Sequence, residues 1–291
     1  MSHDTLNKII LALAIVATTL SLAYAAPQRK PVQPQPSSYL IEVESGRVLH
    51  ATNETESISI ASMTKIMTVL AVVEAGQDMS EMLTVVGREG SSRIRRGMQL
   101  SRRDLVELTL VSSDNLASRT LIEHYPEGGV AGIIAMNNIA ERIGARNSSF
   151  VEPSGLLAAN KSTASDIALI TREAARHSIF TEMSRREQSA IQMEQISRAK
   201  KIVHWIRGNN TNPFAHEVNN YEIIVAKTGL TRAAGWCLTM MFRYNQKTYI
   251  LVTAGNRDKF ARRKVADYLI ALATEYKYRI KVEEYDRLGG S

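Results

Sequence analysis

Residues 222–255 read EIIVAKTGLTRAAGWCLTMMFRYNQKTYILVTAG. Three apolar, β-branched runs stand out in this stretch: EIIVAKTG at 222–229, GWCLTMMFRY at 235–244 and KTYILVTAG at 247–255. Short polar or glycine-containing segments separate them, the pattern of consecutive strands. Beyond them, RRKVADYLIALATEYK at 262–277 carries apolar residues at helical spacing and predicts a closing helix. Toward the other end, YLIEVESGRVLHATN at 39–53 alternates around Ser45-Gly46 and predicts a β-hairpin. The middle of the chain is helical in pattern. An apolar helix is expected from about Ser62 to Glu74, and Ser101-Arg-Arg-Asp104 has the form of a capping box opening a helix through LVELTLVSS. Two more helices are expected at 131–143, after Gly128-Gly129, and at 164–176, after Ser162-Thr163. Strands near both ends share a sheet most simply if the helices between them pack on it. The predicted class is α+β with a mainly antiparallel sheet.

The bulk composition fits this picture. Of 291 residues, 44% are hydrophobic and 22% charged, enough apolar surface to build a core. The N-terminus differs from the rest. Ile9 to Tyr24 is a weakly polar run behind Lys8, and Ala23-Tyr24-Ala25 has the small-x-small form of a cleavage site. The run falls short of the roughly 20 apolar residues that span a bilayer. Residues 1–25 are therefore expected to be a cleaved signal peptide, with an uncleaved anchor as the alternative. Residues 26–37, APQRKPVQPQPS, are expected to be an extended linker, and residues 38–291 the folded domain. Cleavage would remove one lysine and one aspartate and leave the net charge at +7, which favours polyanionic surfaces. The single cysteine, Cys237, has no partner for an internal disulfide and lies in an apolar run, as a buried thiol would.

Three short stretches carry chemistry. In Ser62-Met63-Thr64-Lys65, a helix would bring residues i and i+3 to one face, so that the Lys65 amine meets the Ser62 hydroxyl. A serine needs a neighbouring base to act as a nucleophile, and desolvation with a helix N-terminus disfavours the ammonium form of a lysine. The same helix end offers the Ser62 N–H to an oxyanion. Ser113-Asp114-Asn115 follows an apolar helix, where a hydroxyl can relay a proton and an amide can hold a substrate carbonyl. Lys227-Thr228-Gly229 closes a strand with a fixed cation, a hydroxyl and a bare backbone that lets a ligand approach, and Leu230 follows with a second N–H for the oxyanion. Each stretch also has an ordinary reading: a surface Ser/Lys pair, a polar helix cap, a strand-end turn.

Their order gives them a joint meaning. S-x-x-K, S-D-N and K-T-G in succession are the signature of penicillin-recognising serine acyl enzymes. Through IASMTKIMT, LVSSDNLAS, FVEPSGL and AKTGLTRAAGWCL, the sequence resembles the low-molecular-mass penicillin-binding proteins, the serine D-Ala-D-Ala peptidases, and within them the type-7 D-alanyl-D-alanine endopeptidases. The resemblance runs from about Ser38 to the closing helix. It implies a five-stranded sheet flanked by helices, plus an all-helical lobe, with the site between. It implies Ser62 as nucleophile, Lys65 as base, Ser113 and Asn115 as relay and clamp, and Lys227 with Thr228, Gly229 and Leu230 as the substrate-binding edge. It requires no metal or cofactor. The implied partners are peptidoglycan peptides and β-lactam inhibitors, in the periplasm, without a stable membrane anchor after signal cleavage.

The larger carboxypeptidases of that family add a β-rich domain and an amphipathic tail, for which this chain is expected to be too short; its end, KVEEYDRLGGS, is polar. They also place an arginine upstream of K-T-G, whereas no arginine lies between Gly208 and Lys227 here, which favours a cross-link substrate over a terminal carboxylate. Three other readings compete. A class A β-lactamase would need E-P-x-L-N, and Glu152-Pro153-Ser154-Gly155-Leu156 fails that pattern, leaving Glu152 as a turn charge. A metal peptidase lacks ligand spacing among His50, His124, His177, His204 and His216. A non-catalytic wall-binding protein could use Arg93, Arg95, Arg96, Arg102 and Arg103, unless these are a solvated helix flank. Nucleic acid is an unsuitable partner for a secreted chain with 6% aromatic residues.

Overall fold

The computed structural model describes residues 35–87, 92–197 and 200–274. The expected signal segment, residues 26–34 of the linker and the polar tail lie outside the described residues. In chain order the strands are β1 (Ser37–Glu42), β2 (Val48–Thr52), β3 (Ile58–Ser59), β4 (Met82–Thr84), β5 (Gln99–Ser101) and β6 (Lys161–Ser162). They continue as β7 (Gln188–Ser197), β8 (Lys200–Asn209), β9 (Glu222–Thr231), β10 (Gly235–Tyr244) and β11 (Lys247–Asn256). The α-helices are α1 (Thr64–Glu74), α2 (Arg102–Leu110), α3 (Asn115–Glu123), α4 (Gly129–Arg142), α5 (Ala164–Ala174), α6 (Ser178–Ser184) and α7 (Lys259–Thr274).

The main sheet has five strands in the order β2-β1-β11-β10-β9, every pairing antiparallel. The chain's two ends thus meet in its middle, where β1 pairs with β11. The β10–β11 connection is a two-residue turn with φ of 47° at Asn245 and 65° at Gln246, the primed geometry that matches strand twist. The strands look uniformly apolar because both sheet faces are covered. Leu238, Met240, Phe242 and Leu251 pack with Ala266, Leu269 and Ala273 of α7. The alternate residues Cys237, Met241, Ile250 and Val252 join the larger core built from α1, α5 and the helices α2–α4. On that face the Thr171 and Thr239 hydroxyls pair at 2.8 Å, so the buried threonine of β10 is not an orphan.

Local signals act as expected at several helix ends. Ser101 caps α2 and forms a reciprocal box with Asp104, and Thr163 caps α5 through the Asp166 N–H. The helix expected from Ser62 begins instead with a 3-10 turn, Ala61–Met63, before α1 starts at Thr64. No element was expected between residues 177 and 221, yet β7 and β8, ten residues each, form a hairpin there, paired from Gln188↔Asn209 to Ser197↔Lys200. Its base docks on the turn after α2: Ser189 Oγ donates to Ser112 Oγ at 3.3 Å, and Arg93 Nε donates to the Arg207 carbonyl at 3.0 Å.

The arginines of residues 93–103 do not form one cationic surface. Arg102 is buried and donates to the Asp78 carbonyl and the Glu81 carboxylate, each at 2.6 Å. Arg103 pairs with Glu182, while Arg95 and Arg96 are exposed. Arg102 is thus tied into the fold and Arg103 into an exposed ion pair, while Arg93, Arg95 and Arg96 face solvent as a solvated flank would.

Candidate active site

Four segments converge on Lys65, which is fully buried on α1. Its Nζ donates to Ser62 Oγ at 2.9 Å, to Asn115 Oδ1 at 2.8 Å and to the Ser154 carbonyl at 2.6 Å. Ser62 is partly exposed in the 3-10 turn, two residues before α1 begins, and the i, i+3 spacing still brings its hydroxyl to the amine. The Ser62 hydroxyl also points to the Ser154 carbonyl, at 3.4 Å.

The turn that carries Ser62 is held in an unusual conformation. Ala61 has φ of 46°, in the left-handed region. Two glycines press on it from either side. A Cβ at Gly155, itself at φ of 82°, would stand 1.9 Å from the Ala61 carbonyl oxygen. A Cβ at Gly229 would stand 2.9 Å from the Ile60 carbonyl oxygen and 3.1 Å from Ser62 N. Gly229 was expected to leave room for a ligand. The space beside it is occupied by the serine turn, so its bareness serves the packing of β9 against Ile60–Ser62.

The second stretch sits between α2 and α3. Ser113 adopts φ of 59°, a strained conformation for a residue with a side chain, and presents its hydroxyl to Lys227. Asp114 turns inward. It caps α3 through Leu116 N and Ala117 N, and accepts from Ser92 Oγ and Arg93 N. Asp114 is thus the helix cap of the ordinary reading, while Ser113 and Asn115 on either side of it reach Lys227 and Lys65.

Lys227 extends from β9 and is buried; its Nζ donates to Ser113 Oγ at 2.9 Å and to the Thr228 carbonyl at 3.1 Å. Burial pulls its pKa well below the ordinary lysine value, and the like charges of Lys65 and Arg262 add to the effect. It is thus less a fixed cation than the sequence implies. Thr228 Oγ1 donates to Thr211 Oγ1 at 2.6 Å, and Leu230 is half exposed beyond Gly229. Arg262, at the start of α7, is buried with its guanidinium 5.3 Å from the Trp236 ring centroid, and burial lowers its pKa as well. Cys237 is buried, its thiol pushed up to about 12 by burial.

Every stretch singled out in the sequence therefore reaches one cluster. Sequence reading missed Ser154, whose contribution is a backbone carbonyl and has no side-chain signature. It missed Arg262, which lies downstream of K-T-G where no spacing drew attention to it. It also missed Asn160, whose side chain joins Thr64 Oγ1 to the Glu152 carboxylate.

Comparison with known proteins agrees with this geometry. The family model described as D-alanyl-D-alanine carboxypeptidase, peptidase S11, matches residues 26–258. The D-alanyl-D-alanine endopeptidase of Pseudomonas aeruginosa is 31% identical over 89% of this chain and 85% of its own length. The D-alanyl-D-alanine endopeptidase of Escherichia coli is 30% identical over 88% of this chain and 83% of its own. In fold, the chain resembles penicillin-binding protein D2 of Listeria monocytogenes in its ampicillin-bound form, with a TM-score of 0.69, 24% identity and coverage of 81% of this chain and 95% of that one. It also resembles the Streptomyces K15 DD-transpeptidase, with a TM-score of 0.72, 21% identity and coverage of 81% and 95%. With a serine and two buried lysines brought together on an α+β frame, and with a family match across most of its length, the chain belongs to the peptidase S11 family of serine D-alanyl-D-alanine peptidases.

Proposed function

We propose that this D-alanyl peptidase works through an acyl-enzyme on Ser62, is blocked by penicillin, and cuts D-alanyl cross-links of peptidoglycan in the periplasm. The observation that carries the reading is the 2.9 Å bond between Ser62 Oγ and the fully buried Lys65 Nζ. Lys65, as a neutral amine, takes the Ser62 proton while Oγ attacks the scissile carbonyl carbon. The carbonyl oxygen becomes an oxyanion, which accepts from the N–H groups of Ser62 and Leu230. The proton then passes to the leaving amine, by way of Lys65 or through Ser113, which Lys227 holds at 2.9 Å. The bond to nitrogen breaks and leaves an ester on Ser62, which water cleaves by the reverse sequence of proton movements. Asn115 holds Lys65 on one side, and its amide N–H₂ is left to meet the substrate.

Two observations favour a cross-link substrate. The relatives at 31% and 30% identity are named endopeptidases, and no arginine lies between Gly208 and Lys227. One observation favours terminal D-Ala instead: Arg262 supplies a buried cation near Lys227, suited to a free carboxylate. Fast β-lactam hydrolysis is not supported, because the Glu152 carboxylate is engaged by backbone and side-chain donors of its own loop.

Two measurements test the proposal. A fluorescent penicillin should label the wild-type chain persistently and fail to label Ser62→Ala; an unlabelled wild type would overturn the acyl-enzyme reading. Digestion of purified cross-linked muropeptides, read by mass, should convert dimers to monomers without loss of terminal D-Ala. Release of free D-Ala with dimers intact would move the assignment to carboxypeptidase.

A further inference from the structure

The carboxylate of Glu152 is used more heavily than a turn charge needs. Its Oε2 accepts from Ser154 N at 2.7 Å and Ser154 Oγ at 2.5 Å. Its Oε1 accepts from Gly155 N at 2.6 Å, Asn160 Nδ2 at 2.9 Å and Leu157 N at 3.4 Å. Asn160 is itself buried; its Oδ1 accepts from Val151 N at 2.8 Å, and its Nδ2 also reaches Thr64 Oγ1 at 3.2 Å. Glu152 and Asn160 therefore tie the loop between them to the first residue of α1. At the site the loop brings Gly155 against the serine turn and the Ser154 carbonyl to 3.4 Å from Ser62 Oγ and 2.6 Å from Lys65 Nζ.

That carbonyl has a geometric consequence for the proton transfer. A neutral lysine amine has two N–H donors and one lone pair, directed roughly tetrahedrally. Asn115 Oδ1 and the Ser154 carbonyl can accept both N–H groups. With those two N–H groups so engaged, the lone pair can face Ser62 Oγ at 2.9 Å, the atom whose proton it must take. We propose that Glu152 is a positioning residue: by fixing the Ser154 carbonyl it sets the direction of the Lys65 lone pair. The inference rests on the reading of Lys65 as base, and it gives the Glu152-Pro153-Ser154-Gly155 run a role that neither the β-lactamase pattern nor a surface turn supplies.

Its signature separates it from a structural role. Lys227 from β9 lies within electrostatic reach of Lys65, and Arg262 from α7 within reach of Lys227; Asp114 caps α3 beside Asn115, and Glu152 is bonded to Ser154 in this loop. Displacing the Ser154 carbonyl removes an acceptor that favours the ammonium form, and replacing Glu152 with a neutral residue removes the nearby negative charge as well. Both changes favour the neutral amine. Glu152→Gln should thus acylate more slowly at every pH, about ten- to a hundredfold as expected for a misdirected reacting group, yet the ascending limb of its pH–rate profile should move to lower pH. Glu152→Asp keeps the charge but retracts the carboxylate, and should be slowed with a smaller movement of the limb. Leu157→Gly alters only an exposed side chain and loosens the loop without endangering the fold; it should be slowed in the same sense, severalfold.

The experiment is fluorescent-penicillin acylation of the full chain between pH 5 and 10, with the labelled end-point giving the active fraction of each variant. Slower acylation with a shifted limb supports the proposal. Wild-type rates in the folded variants, or slower acylation with an unmoved limb, overturn it. If Glu152→Gln and Glu152→Asp do not fold, Leu157→Gly decides alone by the same criteria. If the wild type itself is not labelled, the acyl-enzyme reading has failed; if the wild type is labelled and the variants match it, only the role of Glu152 has.

Discussion

Lys227 is an expensive residue to keep. It is buried, faces Lys65 and Arg262, and has its pKa drawn well below the ordinary lysine value of 10.5. Between its folded and unfolded pKa values the native state holds fewer protons at this site than the unfolded chain does. Stability therefore rises with pH across that window, and the penalty is greatest below the folded pKa. Lys227→Met should abolish penicillin labelling and raise the melting temperature at pH 7 by about 2–4 °C, the equivalent of roughly 1 kcal/mol for a domain of this size. The gain should shrink toward zero as the pH approaches 10.5. Melting curves of both proteins from pH 6 to 10 check this, and a pH-independent difference would count against it. The meeting of Ser62 with Lys65 and of Ser113 with Lys227 was legible in the sequence because side-chain types at short spacing announce it. The Ser154 carbonyl was not, since any residue has one.

At the scale of elements, the serine turn depends on what approaches it. Gly229→Ala should push β9 or the turn aside, since its Cβ would meet the Ile60 carbonyl oxygen at 2.9 Å and Ser62 N at 3.1 Å. A destabilisation of about 1–3 kcal/mol is expected from such overpacking, with acylation slowed more than tenfold because the displaced atom is the proposed oxyanion donor. Ser101→Ala makes a useful contrast. It removes the cap of α2, far from Ser62 in the fold's logic, and should cost about 1 kcal/mol while leaving acylation per folded molecule unchanged. Urea melts and labelling rates of the two variants separate packing at the site from ordinary helix stability. The same scale shows where sequence reading failed. β10 and β11 are covered on both faces and read as continuous apolar runs. In β7 and β8, IQMEQIS and KKIVHWIRG alternate with many polar residues and no Gly or Pro separates the two runs; Gln192, His204, Trp205 and Arg207 are exposed. The pairing of these two strands is written in a weak period of two rather than in hydrophobicity.

At the scale of the whole molecule, a net charge of +7 predicts salt-sensitive adherence to an anionic cell wall. Co-sedimentation with purified sacculi should fall steeply between 50 and 500 mM salt, as screening shortens the reach of exposed charges from about 14 to 4 Å; salt-independent retention would point to specific capture instead. The order of the sheet has a further consequence, in time rather than in space. β1 is among the first elements to leave the ribosome, but its inner neighbour is β11, nearly the last. Until residue 256 exists, the N-terminal hairpin has only β2 beside it and the sheet has no centre. Long-range pairings of this kind make for slow closure. A chain built this way stays unfinished throughout its synthesis, which leaves it open for as long as an export machinery would need to thread it.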